Sequence, residues 1–312
     1  MARILVTGAA GFIGAEVVAA LAARGDVVTA LDLGLSPRLA ALVERHDVAF
    51  RPCEISEWPL LLHAFERARP EAVVHCAAVV GVVNAAAAPL ATLRVNVEGM
   101  LGVLEAMRLF GVRRMVNLSS EEIYGPFDAV CITEEHPCRP VWPYGISKHA
   151  AEQLARDHAR AHGAEIVHVR TSWVYGPGLP RPRVPKTMVD AAVEGRALHL
   201  PTGADFRVDH TYIEDAVQGI LLCLDKRTHR FDAYHIASGT APSLADIAAI
   251  LRELVPGADI QVGPGEYSFV PGLQPVRKGA LDVTRARQEL GYLPRFDIRA
   301  GLAATIGARR AA

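Results

Sequence analysis

Tyr144 and Lys148 stand four residues apart in the run Tyr144-Gly145-Ile146-Ser147-Lys148, and residues at that spacing share one face of a helix. A phenol and an ammonium aimed into one cleft can take the proton from an alcohol while hydride leaves the same carbon. A free tyrosine, with a pKa of ~10, is a poor base at neutral pH, and a neighbouring cation favours its phenolate. Ser119-Ser120 offer hydroxyls that can share the proton, and Glu121-Glu122 follow directly. Adjacent carboxyls repel and separate in pKa, as an acid and a base must.

A second constellation suits a phosphate. Thr7-Gly8-Ala9-Ala10-Gly11-Phe12-Ile13-Gly14 follows an apolar run and opens a helical pattern. Its glycines allow a tight turn, open backbone N–H groups and approach to a helix N-terminus. Asp32 comes eighteen residues past Gly14, where a carboxylate can accept both ribose hydroxyls of NAD. Leu33 and Gly34 follow it rather than an arginine, so the expected cofactor is NAD and not NADP. Glu54 and Ile55 are expected near the adenine.

These groups need elements that bring them together. Short β-branched runs at Ile4–Thr7, Val27–Asp32, Val48–Arg51, Ala72–His75, Met115–Ser119 and Ile166–Arg170 alternate with helical patterns beginning near Gly11, Ser36, Ser56, Pro89 and Tyr144. That alternation predicts an α/β fold, a Rossmann doubly wound parallel sheet with helices on both faces. After Tyr175 the texture turns to Pro and Gly punctuation, which puts a boundary there. The expected organisation is a dinucleotide-binding domain over residues 1–175 and a smaller C-terminal α/β substrate lobe over 176–312, with some segments of the latter free to return to the sheet. The pattern over 89–110 reads as one helix, apolar over a wider arc than one core stripe requires (Leu90, Leu93, Val97, Leu101, Leu104, Met107).

The chain has 312 residues, 51% of them hydrophobic and 6% aromatic, which suits a large aliphatic core. Thirty-three Lys and Arg against 34 Asp and Glu leave no field to capture nucleic acid or an anionic membrane. The longest apolar stretch is too short for a bilayer span. Five cysteines without CxxC spacing read as reduced thiols in a cytoplasm. His158 and His162 share a helix face but lack a third ligand, so no metal is expected.

The glycine turn, the strand-ending serines and YxxxK occur in the chain order of the extended short-chain dehydrogenase/reductases, and the chain resembles the NAD-dependent epimerase/dehydratases of nucleotide sugars. The resemblance spans nearly the whole sequence: residues 7–14, His75-Cys76-Ala77-Ala78, Asn96, Ser119 to Gly125, Tyr144 to Lys148, Arg170 to Gly178, Thr211 to Asp215 and the closing LDVTRARQELGY. It implies Tyr144 as catalytic base, Lys148 holding the nicotinamide ribose and lowering the Tyr144 pKa, and Ser120 bonding the reacting hydroxyl. It implies that Ala77, Ala78, Asn96 and Ser119 line the cofactor channel. A homodimer through helices near 89–110 and 144–162 is implied as well.

By the same resemblance Glu122 matches the carboxylate that removes a C5 proton in sugar 4,6-dehydratases, while Glu121 departs from that group's Asp or Ser. The related decarboxylases also keep a Glu here. Trp173 and Val208 stand where family members carry an Asn and an Arg that grip the diphosphate. Arg181, Arg183, Lys186, Arg207, Arg277 and Lys278 could gather on an anion instead. Trp173, Arg181, Arg183, Arg207, Arg277 and Glu121 are therefore the candidate substrate residues. Three readings stay open: an epimerase or dehydratase that reduces and reoxidises NAD in one turnover, a net dehydrogenase of an unactivated sugar, polyol or sugar acid, and an NAD(H)-sensing binding protein without chemistry.

Overall fold

The computed structural model describes residues 1–45, 48–267 and 276–311. The N-terminal half runs β1 (Arg3–Thr7), α1 (Phe12–Ala23), β2 (Val27–Asp32), α2 (Pro37–Arg45), β3 (Val48–Pro52), α3 (Trp58–Ala68), β4 (Ala72–His75), α4 (Val82–Ala87), α5 (Pro89–Leu93), α6 (Gly99–Phe110), β5 (Arg114–Ser120), β6 (Cys131–Ile132) and α7 (Pro143–His162). It continues through β7 (Glu165–Thr171), β8 (Trp173–Tyr175), α8 (Lys186–Val193), β9 (Leu198–Leu200), β10 (His210–Tyr212), α9 (Ile213–Asp225) and β11 (Ala233–His235). The remainder is α10 (Leu244–Leu254), β12 (Ile260–Val262), β13 (Ala280–Leu281), α11 (Thr284–Leu290) and α12 (Ile298–Ala311).

Seven strands form one parallel sheet in the order β11-β7-β5-β4-β1-β2-β3. Successive side chains of a strand point to opposite faces, so a sheet covered on both sides needs apolar residues at every position. In β1, Leu5 packs into the layer holding Phe65, Val73, Met107 and Met115. Ile4 and Val6 face the other layer, with Val17, Val18 and Ile220. The winding reverses between β1 and β4, and at such a switch point a crevice opens at the strands' carboxyl ends.

The six expected strands are all present, each within one residue at either end. β11, from the C-terminal half, pairs with β7 with His235 opposite Arg170, and α9 packs on α1. Residues beyond 176 thus return to the sheet. The expected helix over 89–110 is continuous, with a π-helical stretch, Arg94–Glu98, between α5 and α6. Its broad apolar arc divides: Leu104 and Met107 are buried, whereas Leu90, Leu93 and Leu101 are exposed.

The rest of the C-terminal half pairs β10 with β8 and β12 with β9, and packs α8, α10 and α12 together. β13 pairs with β6, and the stretch leading into it is tied down by Phe127 N donating to Arg277 O (2.9 Å) and Ala280 N to Val130 O (2.8 Å). This carries residue 278 to the end of β5. No helix among the described residues is long and apolar enough to cross a membrane.

Candidate active site

A cleft of about 750 Å³ opens at the carboxyl ends of β1, β4 and β5, between the sheet and the C-terminal lobe. Gly8, Gly11, Phe12, Ile13 and Gly14 line one end of it. Gly8 has φ +66°, and a Cβ there would lie 2.5 Å from the Ala77 nitrogen, so only glycine permits this approach of β1 to the segment after β4. The same ends are fastened by Thr7 Oγ1, which lies 2.8 Å from His75 Nδ1 and accepts from Ala77 N at 3.3 Å. Burial, helped by Lys148, pushes the His75 imidazole down to about 3, so it is neutral and can accept the Thr7 proton.

α1 begins at Gly11 with no acidic side chain in its first turn, leaving its positive end open to an anion. Asp32 Oδ2 accepts from Ala10 N (2.8 Å) and Oδ1 from Leu33 N (2.7 Å), which aims the carboxylate at the mouth of the glycine turn. Glu54 and Ile55 border the same end, Glu54 Oε1 accepting from Ser56 Oγ at 3.2 Å. A backbone cradle that a Cβ would fill, beside a carboxylate and a free helix N-terminus, fits the pyrophosphate and ribose of a dinucleotide.

Ala77 and Ala78 line the cleft, but Asn96 does not; Val95 does. The Asn96 side chain accepts from Val79 N (2.7 Å) and donates to Val79 O (3.1 Å) and Ser147 Oγ (2.9 Å). It fixes the channel wall from behind. Its place in the π-helical stretch turns it inward to do so.

The other end of the cleft holds Ser119, Ser120, Glu121, Glu122, Tyr144 and Lys148. Gly145 lets the start of α7 press on the turn after β5, since a Cβ there would lie 2.3 Å from Glu122 O. Ser120 Oγ accepts from Glu122 N at 3.2 Å and caps the 3-10 turn Glu121–Tyr124. Burial pushes the Tyr144 phenol up to about 12, against the pull of the Ser120 hydroxyl, Arg181 and Arg183. The net shift is upward, opposite to the lowering expected from Lys148. The reason lies in burial and in Lys148 Nζ, which donates to Leu118 O at 2.7 Å. Burial pushes that amine down to about 8.

Glu121 and Glu122 are both buried. Glu121 Oε2 accepts from Ser172 Oγ at 2.8 Å, while Glu122 Oε2 accepts from Lys278 Nζ at 2.9 Å. Burial, reinforced by Glu122 and Asp209 and opposed by Lys278, pushes the Glu121 carboxyl up to about 8.

The candidate substrate residues divide. Trp173, Arg181 and Arg183 line the cleft. The Arg183 guanidinium lies 4.8 Å from the centre of the Trp173 ring, and Arg181 Nη1 donates to Val80 O at 2.8 Å. Arg207 and Arg277 are not among the lining residues. Arg207 Nη1 turns to Ala241 O (3.2 Å) and Asp246 (3.5 Å) instead, and the Arg277 side chain is exposed while its carbonyl holds Phe127 N.

Two residues missed in the sequence reading, Glu152 and Ser172, support the site, as does Lys278, expected among the cations that could gather on an anion and instead paired with Glu122. Glu152, one face further along α7 from Tyr144 and Lys148, accepts from Ser119 Oγ at 2.6 Å; its i+8 spacing was the available signal. Ser172 and Lys278 meet the two carboxyls from β7's end and from the stretch before β13, and no local spacing marks either.

The family model for the NAD dependent epimerase/dehydratase family matches residues 4–237. A dTDP-glucose 4,6-dehydratase of Streptomyces griseus is 33% identical over 97% of this chain and 93% of its own length. A UDP-glucose 4-epimerase of Mycolicibacterium smegmatis is 30% identical over 97% of both chains. Among solved structures, the UDP-glucose 4-epimerase of Thermotoga maritima with UDP-glucose superposes with a TM-score of 0.89 at 28% identity, covering 99% of this chain and 98% of that one. MoeE5 in complex with UDP-glucuronic acid and NAD superposes with a TM-score of 0.85 at 29% identity over 99% of both chains. By its motifs, its sheet and these matches, the chain belongs to the NAD dependent epimerase/dehydratase family.

Proposed function

We propose that the protein dehydrates a nucleoside diphosphate sugar through a transient ketone, with NAD as a recycled cofactor. The observation that carries this reading is the carboxyl pair Glu121 and Glu122 in the same cleft as Tyr144, one of the two raised to about 8 and the other ion-paired to Lys278. The names of the relatives, which act on dTDP-glucose and UDP-glucose, support a nucleotide sugar.

A bound NAD would supply the acceptor for the hydride from C4 and the hydride returned at C6. The chain's own groups handle the protons. Burial alone keeps the Tyr144 phenol protonated, and the positive nicotinamide of a bound NAD would favour its phenolate, so that Tyr144, with Ser120 beside it, would take the hydroxyl proton as the C4 ketone forms. The ketone acidifies the neighbouring C–H, whose proton passes to the Glu122 carboxylate. That electron pair becomes a C5–C6 double bond as the C6–O bond breaks, Glu121 gives its proton to the departing oxygen so that water leaves, and Glu122 returns its proton to C5 as C6 regains a hydride. Gly8, Gly11, Phe12, Ile13, Gly14, Asp32, Glu54, Ile55, Ala77 and Ala78 would hold the dinucleotide, and Lys148 its nicotinamide ribose. Arg181 and Arg183, with Trp173, would face the anionic part of the sugar substrate.

Incubation with catalytic NAD and dTDP-glucose or UDP-glucose should give a 4-keto-6-deoxy product without accumulating NADH. A 4-epimerase reading, favoured by the superposition on the Thermotoga maritima epimerase, predicts an epimer with the 6-hydroxyl retained. Stoichiometric NADH release would reject both. The exposed Leu90, Leu93, Leu101 and Ile146 on α5, α6 and α7 support a homodimer through these helices, checked by sedimentation equilibrium. The five free cysteines fit a reducing cytoplasm.

A further inference from the structure

The two carboxyls that enter the cleft after β5 have different surroundings. Glu122 Oε2 lies 2.9 Å from Lys278 Nζ, with the two side chains 9% and 2% exposed. Glu121 is 1% exposed; its Oε2 accepts from Ser172, and its Oε1 is buried without a hydrogen-bond partner. Lys278 does not line the cleft. It reaches Glu122 across 156 positions of sequence, with Gly125 O 3.5 Å from Nζ and the Phe127 ring 5.3 Å away. Its backbone is held by the bonds from Phe127 N to Arg277 O (2.9 Å) and from Asp209 N to Gly279 O (3.2 Å). The ammonium therefore has a set position and a single carboxylate in direct contact.

We propose that Lys278 is a positioning residue that acts through Glu122: paired with it, the ammonium fixes Glu122 as the proton acceptor and leaves Glu121 as the proton donor of the carboxyl pair. The proposal rests on the dehydration reading above and adds what sets the two roles. Two carboxylates in one buried site cannot both ionise cheaply, and one buried cation stabilises the one it touches. The proton then stays on Glu121, whose Oε1 has no hydrogen-bond partner among the described residues. Burial, Glu122 and Asp209 favour that proton on Glu121, while Lys278 and the Ser172 hydrogen bond oppose it. Arg183 and Tyr144 also act on the pair. Arg183 acts on Glu121 more than on Glu122 and so opposes the proton on Glu121, as Lys278 and Ser172 do; the direct Lys278 contact to Glu122 and the burial of Glu121 outweigh it.

The test is a carboxyl titration of the full-length protein labelled with ¹³C at the glutamate side-chain carboxyl, assigned with Glu121→Gln and Glu122→Gln. At pH 7 Glu121 is expected protonated and Glu122 ionised. In Lys278→Met the Glu122 resonance should move to its protonated position at pH 7, and in Lys278→Arg it should stay ionised. In parallel, Lys278→Met should lower kcat at pH 7 at least tenfold with KM within threefold, and move the acid limb of the kcat profile upward by a pH unit or more. Lys278→Arg should restore that limb. Ionised Glu122 in Lys278→Met, or a kcat lost evenly at every pH, overturns the proposal. Should Lys278→Met not fold, wild type decides, since two ionised carboxyls at pH 7 overturn it equally. The titration needs no substrate, so a failure to find dehydration would sink the reaction assignment while leaving this result to stand or fall alone.

Discussion

The carboxylate of Glu152 and the guanidinium of Arg170 meet in the interior, Oε2 2.7 Å from Nη2 and Oε1 3.0 Å from Nε, with neither side chain more than 5% exposed. Ser119 and Arg156 add bonds to the same carboxylate at 2.6 and 2.9 Å. Arg170 Nη1 donates to Tyr124 OH at 2.8 Å, and that hydroxyl lies 2.6 Å from His235 Nε2. Burial pushes His235 down to about 3, so the neutral ring accepts the Tyr124 proton and donates from Nδ1 to Asp282 O, 3.0 Å away. The network joins β5, α7, β7 and β11 behind the cleft.

Removing one partner of a buried ion pair leaves an uncompensated charge, at a cost of about 3–5 kcal/mol. Glu152→Gln should therefore lose about that much in urea unfolding and place Ser119 less firmly. Despite its burial, His168, Arg170 and Arg156 hold the Glu152 carboxyl well below the usual carboxylate range. Its folded pKa is thus depressed, so its contribution is complete above about pH 4 and fades only in stronger acid. The gap between wild type and variant should narrow there, and a gap that stays constant to pH 2 would contradict the pairing.

Tyr144→Phe removes the phenol proposed to take the substrate proton while leaving the cofactor end untouched. The loss in kcat should be about 10²- to 10⁴-fold, the range of general acid–base catalysis. NAD affinity by isothermal titration should change less than threefold. Residual turnover near wild type would move the proton chemistry to another group.

Gly8→Ala tests the cradle. The new Cβ meets backbone atoms, Ala77 N at 2.5 Å, at a φ of +66° that alanine adopts with strain. Backbone has no soft torsion with which to yield, so the β1 turn must move. NAD affinity should fall at least tenfold, measured by fluorescence titration, with the far-ultraviolet circular dichroism unchanged.

What local pattern can and cannot carry is plain from particular residues. β1 to β5 and β7 are short apolar runs, and Gly8 to Gly14 with Asp32 lie within one βαβ unit, so spacing alone places them. Glu152 obeys the same helical arithmetic as Tyr144 and Lys148. The π-helical stretch at Arg94–Glu98 leaves no such trace, because every residue in it is compatible with an ordinary helix. Lys278 and β11 depend on contacts across long sequence separations. Among the scattered cations, Arg183 enters the cleft and Arg207 turns to Asp246, a difference of side-chain direction that composition does not record.

Glu121 should make stability depend on pH in the opposite sense to Glu152. Its folded pKa, pushed up to about 8 mainly by burial, exceeds the ordinary carboxyl value of about 4.3. The stability it contributes is complete below that ordinary value and is lost as pH rises towards 8. Lys148, pushed down to about 8, is protonated in both states over most of that window and adds little slope. Glu121→Gln should therefore gain on wild type in Tm progressively from pH 5 to pH 8. Parallel Tm curves across that range would mean Glu121 is ionised in the folded protein.

Arg183 is where an anionic substrate should register. Its Nη2 donates to Val174 O at 3.0 Å and its plane lies over Trp173 at 4.8 Å, while Nε is buried without a partner. Burial, with Arg181 beside it, pushes the guanidinium down to about 10, so it stays cationic at neutral pH, and among the described residues it makes no direct ion pair. An arriving phosphate or carboxylate would relieve both deficits, and that gain appears on binding rather than in the chemical step. Arg183→Met should raise KM for the nucleotide sugar at least tenfold with kcat within threefold and NAD affinity unchanged. Arg183→Lys keeps the charge but loses the planar stack on Trp173, so it should recover only part of the loss. An unchanged KM in Arg183→Met would mean that the anion is held elsewhere in the cleft, with Arg181 the next cation to test.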